Sequence, residues 1–198
     1  MQSQEKPSFL RELLVLVVSA LIIAVGVKTF VAQAFYIPSG SMLPQLQIND
    51  RIVVSKLSYK LHDPRRGDIV VFDAPTGQPK STDTGAKKAV KWILQAIGVQ
   101  APSTEDYVKR VIGLPGEVVE GHDGHVFVNG KQVVEPYLHA GVTTGDFAPV
   151  TVPAGDLWVM GDNRGNSSDS RVFGPIKEST IVGRAILKVW PFSHASFL

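Results

Sequence analysis

Apolar residues are unevenly distributed along this chain. Residues 13–27 form an uncharged apolar run, and after Lys28 the pattern resumes as far as Ile37. That is long enough to cross a bilayer as a helix, with Lys28 snorkelling near one end. Beyond it the text breaks into short blocks. "RIVVSKL" (51–57) and "GDIVVF" (67–72) are rich in β-branched residues and bounded by Asp, Pro and Gly, which predicts two strands paired with each other. In "GEVVEGHDGHVFVNGKQVVE" (116–135) apolar residues gather around Asp123-Gly124 and Asn129-Gly130, two favoured hairpin turns, so a meander is expected. "DLWVMGD" (156–162) and "IVGRAILKVW" (181–190) supply later strands. The total predicts a mainly β, antiparallel domain of short elements.

One segment breaks this pattern. In "KKAVKWILQAIGV" (87–99), Lys87, Lys91, Gln95 and Gly98 fall on one helical face and Val90, Ile93, Leu94 and Ile97 on the other. A short amphipathic helix is expected, either packed on the β domain or lying on lipid.

The first apolar run admits three readings. As a membrane span it divides the chain into a cytoplasmic N-terminus (1–12), an anchor (13–34) and an extracytoplasmic domain (35–198), because Lys6 and Arg11 precede it while 30–50 carries no Lys or Arg. As a cleavable leader, its Ala32-Gln33-Ala34 offers a cut after Ala34. The third reading is a buried helix. The length of the run favours the span.

Composition narrows the chemistry. The chain has 198 residues, 44% of them hydrophobic, enough for one medium domain with its own core. A net charge of +2 gives no electrostatic case for nucleic acid. Having no cysteine excludes disulfides, thiol nucleophiles and thiolate metal sites. None of the five histidines adjoins a candidate nucleophilic serine in sequence, and none has the spacing of a zinc site. A hydroxyl nucleophile would then need another base, and lysine is the alternative when its pKa is pulled down.

Lys109 in "DYVKRVIGLPGE" is the candidate, since its neighbours are mostly apolar and strand alternation sets it opposite Arg110, with one of the two charges directed into the core. Serving as a neutral base near pH 8 means falling from a reference of about 10.4, at a cost of roughly 3 kcal/mol that desolvation can supply. A second dense stretch, "MGDNRGNSSDSRVFGP" (160–175), packs Asp162, Arg164, Asp169 and Arg171 into one loop after an apolar strand. An EF-hand fails there because Arg164 occupies a position that requires an oxygen ligand.

"PSGSM" (38–42), "RGDIVVF" (66–72), "YVKRVIGLPGE" (107–117) and "GDNRGNSSDSR" (161–171), in that order behind an apolar segment, resemble the signature boxes of type I signal peptidases, serine proteases that remove signal peptides from exported proteins. The resemblance implies a barrel-like antiparallel β fold of signal peptidase type behind one transmembrane helix, no cofactor or metal, and signal-peptide-bearing preproteins and membrane lipid as partners. It also implies that Ser41 is the nucleophile, Lys109 the general base, and the Ser39 hydroxyl a partner of the Ser41 N–H in an oxyanion hole. Ser167 is implied to orient the lysine amine, Asp169 and Arg171 to form a supporting pair, and Asp162 to bind Arg110. Small residues at the first and third positions before the cut, an A-x-A pattern, would enter shallow pockets lined by Phe35, Ile37, Met42, Leu46, Tyr107 and Val108.

Two departures stand out: Gly165 where an acidic residue is usual, and a long insert at 76–104. Since Ala32-Gln33-Ala34 has the substrate's own pattern, slow self-processing near Ala34 is a further expectation. Two other functions compete with a peptidase. A membrane-tethered β module would bind exported chains without turnover. A self-cleaving Ser-Lys repressor would need a helix-turn-helix and a basic face, and the sequence offers neither.

Overall fold

The computed structural model describes residues 9–73 and 106–198. The insert 76–104 and the helix expected over 87–99 lie outside the described residues. Helix α1 (Phe9–Phe30) spans 22 residues and runs almost directly into β1 (Ala32–Tyr36). Among the described residues no helix is long and apolar enough to cross a membrane. What α1 does present is apolar surface without protein cover: Leu14, Leu16, Leu21, Ile22 and Ile23 are each 62–66% exposed. The described residues therefore do not bury this helix.

The rest is antiparallel β structure. After β1 come β2 (Arg51–Ser55), a single helical turn α2 (Ser58–Leu61), β3 (Ile69–Asp73) and β4 (Asp106–Gly113). Next are β5 (Val118–His122), β6 (His125–Val128), β7 (Lys131–Gln132), β8 (Phe147–Thr151) and β9 (Asp156–Met160). A short helix α3 (Ser170–Phe173), β10 (Ile176–Lys177), β11 (Ile181–Trp190) and β12 (Ser196–Phe197) complete the described chain. One sheet has the order β1-β2-β11-β3-β4-β9-β10, with β12 on the free stretch of β11; the other has the order β7-β6-β5-β8. Among the described residues no pairing of β1 with β10 closes the first sheet into a barrel.

The meander forms as predicted. Asp123 and Gly124, then Asn129 and Gly130, all take positive φ, the geometry a two-residue hairpin turn needs to match strand twist. The expected pairing of β2 with β3 does not form. Ten-residue β11 lies between them, bonded to β2 through Arg184–Trp190 and to β3 through Ile181–Arg184. The linker from β2 to β3 includes α2 and a turn pinned by Asp68, so it is too long for a tight hairpin and leaves room for a third strand.

A core cluster of Phe35, Ile37, Met42, Leu46, Ile52 and Val54 lies beneath the segment joining β1 to β2. Truncating a residue such as Leu46, which has no exposed surface, costs about 2–5 kcal/mol. The segment 38–49 is closed at its base by two main-chain bonds, Ile37 N–H to Asp50 O and Asn49 N–H to Ile37 O, each 2.9 Å. Inside it, buried Asp50 accepts from Gln47 N–H at 2.8 Å and pairs with Lys188 at 3.6 Å. The loop that carries Ser39 and Ser41 is thus a braced structure rather than a free turn.

Candidate active site

Strand β4 lies between β3 and β9, which covers it on both edges and explains how it carries two buried cations. The sequence predicts one charge directed inward; in the structure Lys109 is 4% and Arg110 6% exposed. Alternation puts them on opposite faces, and each face is covered, by the serine loop on one side and by Asp162 and Tyr137 on the other. Arg110 is neutralised as predicted. Its Nε and Nη2 donate to the two Asp162 carboxylate oxygens at 2.8 and 2.6 Å, and its Nη1 to Gly67 O at 2.8 Å.

Lys109 has no such partner: among the described residues no carboxylate forms an ion pair with it. Its Nζ donates to Ser41 Oγ at 2.7 Å and to the Val108 carbonyl at 3.1 Å. Burial pulls its pKa down to about 8, with Asp169 and Asp162 pulling weakly the other way. Ser39 Oγ donates to Ser41 Oγ at 3.5 Å, the long limit for such a bond. The serine loop, the strand and both hydroxyls converge as the sequence predicts.

The 161–171 loop meets this cluster from below. Gly161 touches it most closely, since a Cβ there would sit 2.5 Å from Ser41 O and 2.2 Å from Ser167 Oγ. Asn163 donates twice, from its main-chain N–H to Ser41 O and from its side-chain amide to Gly40 O, both at 3.0 Å. Asp169 caps α3, grips Arg171 through two 2.8 Å bonds and accepts from Gly161 N–H at 3.0 Å. Burial alone would raise its carboxyl, but Arg171 and the Gly161 N–H hold it below the usual carboxylate range.

Ser167 departs from its expected role. Its hydroxyl is buried without a hydrogen bond of good geometry, although it lies near enough to Asp169 to help lower that carboxyl, and it is not among the bonds of the Lys109 amine.

A cleft of about 420 Å³ opens over Ser41 and Lys109. Ile37, Met42, Tyr107 and Val108 line it as predicted, whereas Phe35 and Leu46 pack in the core cluster beneath rather than on its wall. Asp106, Asn166 and Ser168 also line it and were not foreseen. Nor were Asn163, Glu135, Tyr137 and Thr144, whose contacts join segments far apart in sequence. Asn163 at least lies within a signature box; Glu135, Tyr137 and Thr144 carry no local signal.

A hydroxyl held against a buried amine whose pKa is near neutrality can surrender its proton to that amine, which is the requirement for a nucleophile. Known proteins resemble this chain over most of its length. The family described as "Signal peptidase, peptidase S26" matches residues 10–190. The probable signal peptidase I-2 of Synechocystis sp. is 42% identical over 91% of this chain and 73% of its own. The signal peptidase I of Leptolyngbya laminosa is also 42% identical, over 88% of this chain and 77% of its own. A solved signal peptidase I from Enterococcus faecalis V583 is 29% identical with a TM-score of 0.44, covering 62% of this chain and 97% of that one.

Proposed function

The chain belongs to the signal peptidase family, peptidase S26, and removes signal peptides; we propose that it does so as a serine endopeptidase with Ser41 as nucleophile and Lys109 as general base. The observation that carries this is the 2.7 Å contact between Ser41 Oγ and an amine lowered to about 8. When Lys109 is neutral the polarity of that bond reverses, and the hydroxyl donates to Nζ. As Oγ attacks the scissile carbonyl, its proton passes to Nζ, the C–O bond forms and the carbonyl electron pair moves onto oxygen. The Ser41 N–H meets that oxyanion, joined by the Ser39 hydroxyl once it turns away from Ser41 Oγ. One such preorganised donor is worth about 3–4 kcal/mol. The C–N bond then breaks and the Lys109 ammonium protonates the leaving amine. Water next attacks the acyl-enzyme, giving a proton to Lys109; the acyl C–Oγ bond breaks and that proton returns to Ser41 Oγ.

Supporting roles follow from contacts. Asp162 neutralises Arg110 and lies close enough to act on Lys109, and the Asp169–Arg171 pair fixes Gly161 beneath Ser41. Ser167, whose hydroxyl lies beside Gly161 and Asp169, supports the same loop. Small residues at the A-x-A positions suit a cleft walled by Ile37, Met42, Tyr107 and Val108, with Phe35 and Leu46 backing the wall. Larger side chains are rejected by steric clash.

The apolar run of α1 anchors the enzyme at the membrane, with residues 1–12 cytoplasmic and the β domain on the extracytoplasmic side, whether periplasm, lumen or cell exterior. The exposed apolar surface of α1 and the cations at Lys6 and Arg11 support this. Since β1 begins at Ala32 and pairs with β2, the anchor ends with α1 at Phe30, short of the 13–34 expected from sequence. Because β1 follows α1 almost directly, Ser41 lies near the bilayer surface, where a substrate's own apolar segment delivers its cleavage site at high effective concentration. The test is cleavage of an A-x-A preprotein by the wild type, Ser41→Ala and Lys109→Met. Both variants should fold and lose turnover, and turnover retained in either would contradict the assignment.

A further inference from the structure

The four-stranded sheet lies outside the catalytic cluster, yet the segment between β7 and β8, residues 133–146, crosses to it. Arg164 is 3% exposed and is held almost entirely by that segment. Its Nη1 donates to Glu135 Oε2 at 3.0 Å and to Thr144 Oγ1 at 2.8 Å, its Nη2 to Glu135 Oε1, and its Nε to Gly161 O at 3.0 Å. Tyr137 donates its hydroxyl to Glu135 Oε1 at 2.6 Å and sets its ring 3.8 Å from the Arg110 guanidinium carbon. The segment is pinned back to its own sheet by Thr144 N–H on Gly124 O at 2.9 Å.

We infer that residues 133–146 form a strap that positions the nucleophile: Glu135, Tyr137 and Thr144 grip the two arginines flanking Asp162, and so fix the loop whose Asn163 holds the carbonyls of Gly40 and Ser41. The connection runs through bonds already described. Arg164 fixes Gly161, which packs against Ser41 O, and Asn163 sets the two peptide planes on either side of the Ser41 Cα, the first of which carries the Ser41 N–H. A buried guanidinium stripped of its carboxylate becomes an uncompensated charge, so loss of Glu135 displaces the loop rather than merely removing one contact. Small displacements of reacting groups are costly: about 1 Å of misplacement lowers rate by up to 10²-fold. Glu135, Tyr137 and Thr144 are positioning residues, since none lines the cleft.

The inference rests on the Ser41–Lys109 assignment and is tested on the full chain in detergent with an A-x-A preprotein, at a temperature where circular dichroism shows every variant folded. Glu135→Gln should lower kcat about 10-fold or more and Thr144→Val about 3-fold, with KM unchanged within about 2-fold, and Glu135→Asp should recover part of the loss. His139→Ala, an exposed strap position outside the network, should match the wild type. Folded Glu135→Gln and Thr144→Val with wild-type kcat would overturn the strap. If Glu135→Gln does not fold, Thr144→Val, which removes one neutral acceptor, decides alone. Lys109→Met run in parallel separates the two claims, because turnover surviving there contradicts the dyad and not the strap.

Discussion

The main-chain N–H of Asn163 donates to the carbonyl of Ser41 at 3.0 Å, while its side-chain amide donates to Gly40 O at the same distance. One residue of the 161–171 loop thus holds both carbonyls around the serine whose N–H must face a developing oxyanion. Asn163→Ala keeps the main-chain bond and loses the side-chain one, worth about 1 kcal/mol net. A fall in kcat of roughly 5-fold, with KM little changed, is expected from steady-state cleavage of a preprotein. A rise in KM alone would mean that Asn163 serves substrate binding instead.

Lys109 is a stability cost. Its folded pKa, about 8, lies below the ordinary lysine value of 10.5, so between those values the unfolded chain binds more protons than the folded one and stability rises with pH. Below pH 8 the whole penalty applies, about 3 kcal/mol, and above 10.5 it vanishes. Lys109→Met should therefore be more stable than the wild type by about 1–3 kcal/mol at pH 7, a gain that shrinks between pH 8 and 10.5. Urea unfolding at pH 7 and pH 10 measures both. A destabilised methionine variant would contradict the burial cost.

Self-processing at Ala34 meets an obstacle that the sequence pattern does not reveal. All five residues of β1 pair with β2, and Phe35, on the far side of the bond, is 4% exposed in the core. Cleavage requires β1 to detach first. Intact-mass measurement of the folded protein over long incubation should find the full-length chain, and a product beginning at Phe35 would show that β1 opens readily.

Legibility in the sequence followed the range of the interaction. The β11 boundaries and both Asx-Gly turns were readable because they follow from local composition and period, as was one inward charge at Lys109 or Arg110; that both are buried depends on what covers each face of β4. The Arg110–Asp162 pair came only from the resemblance. The insertion of β11 between β2 and β3 was not readable, because it depends on which edges remain free once distant segments collapse. Glu135 and Arg164 are 29 residues apart and each, taken alone, looks like an ordinary surface charge. Phe35 and Leu46 have the right character for a pocket wall, but the pairing of β1 with β2 directs Phe35 into the core and the turn of the 38–49 loop does the same for Leu46.

The most direct measurement is kcat/KM for preprotein cleavage against pH, with the wild type and Lys109→Met side by side. If neutral Lys109 takes the proton of Ser41, the wild-type rate rises tenfold per pH unit on the acid side, bends at an apparent pKa of about 8 and then levels off, while Lys109→Met is inactive throughout. A wild-type rate flat from pH 6 to about 10, or a methionine variant that cleaves with the same profile, would show that some other group carries the proton.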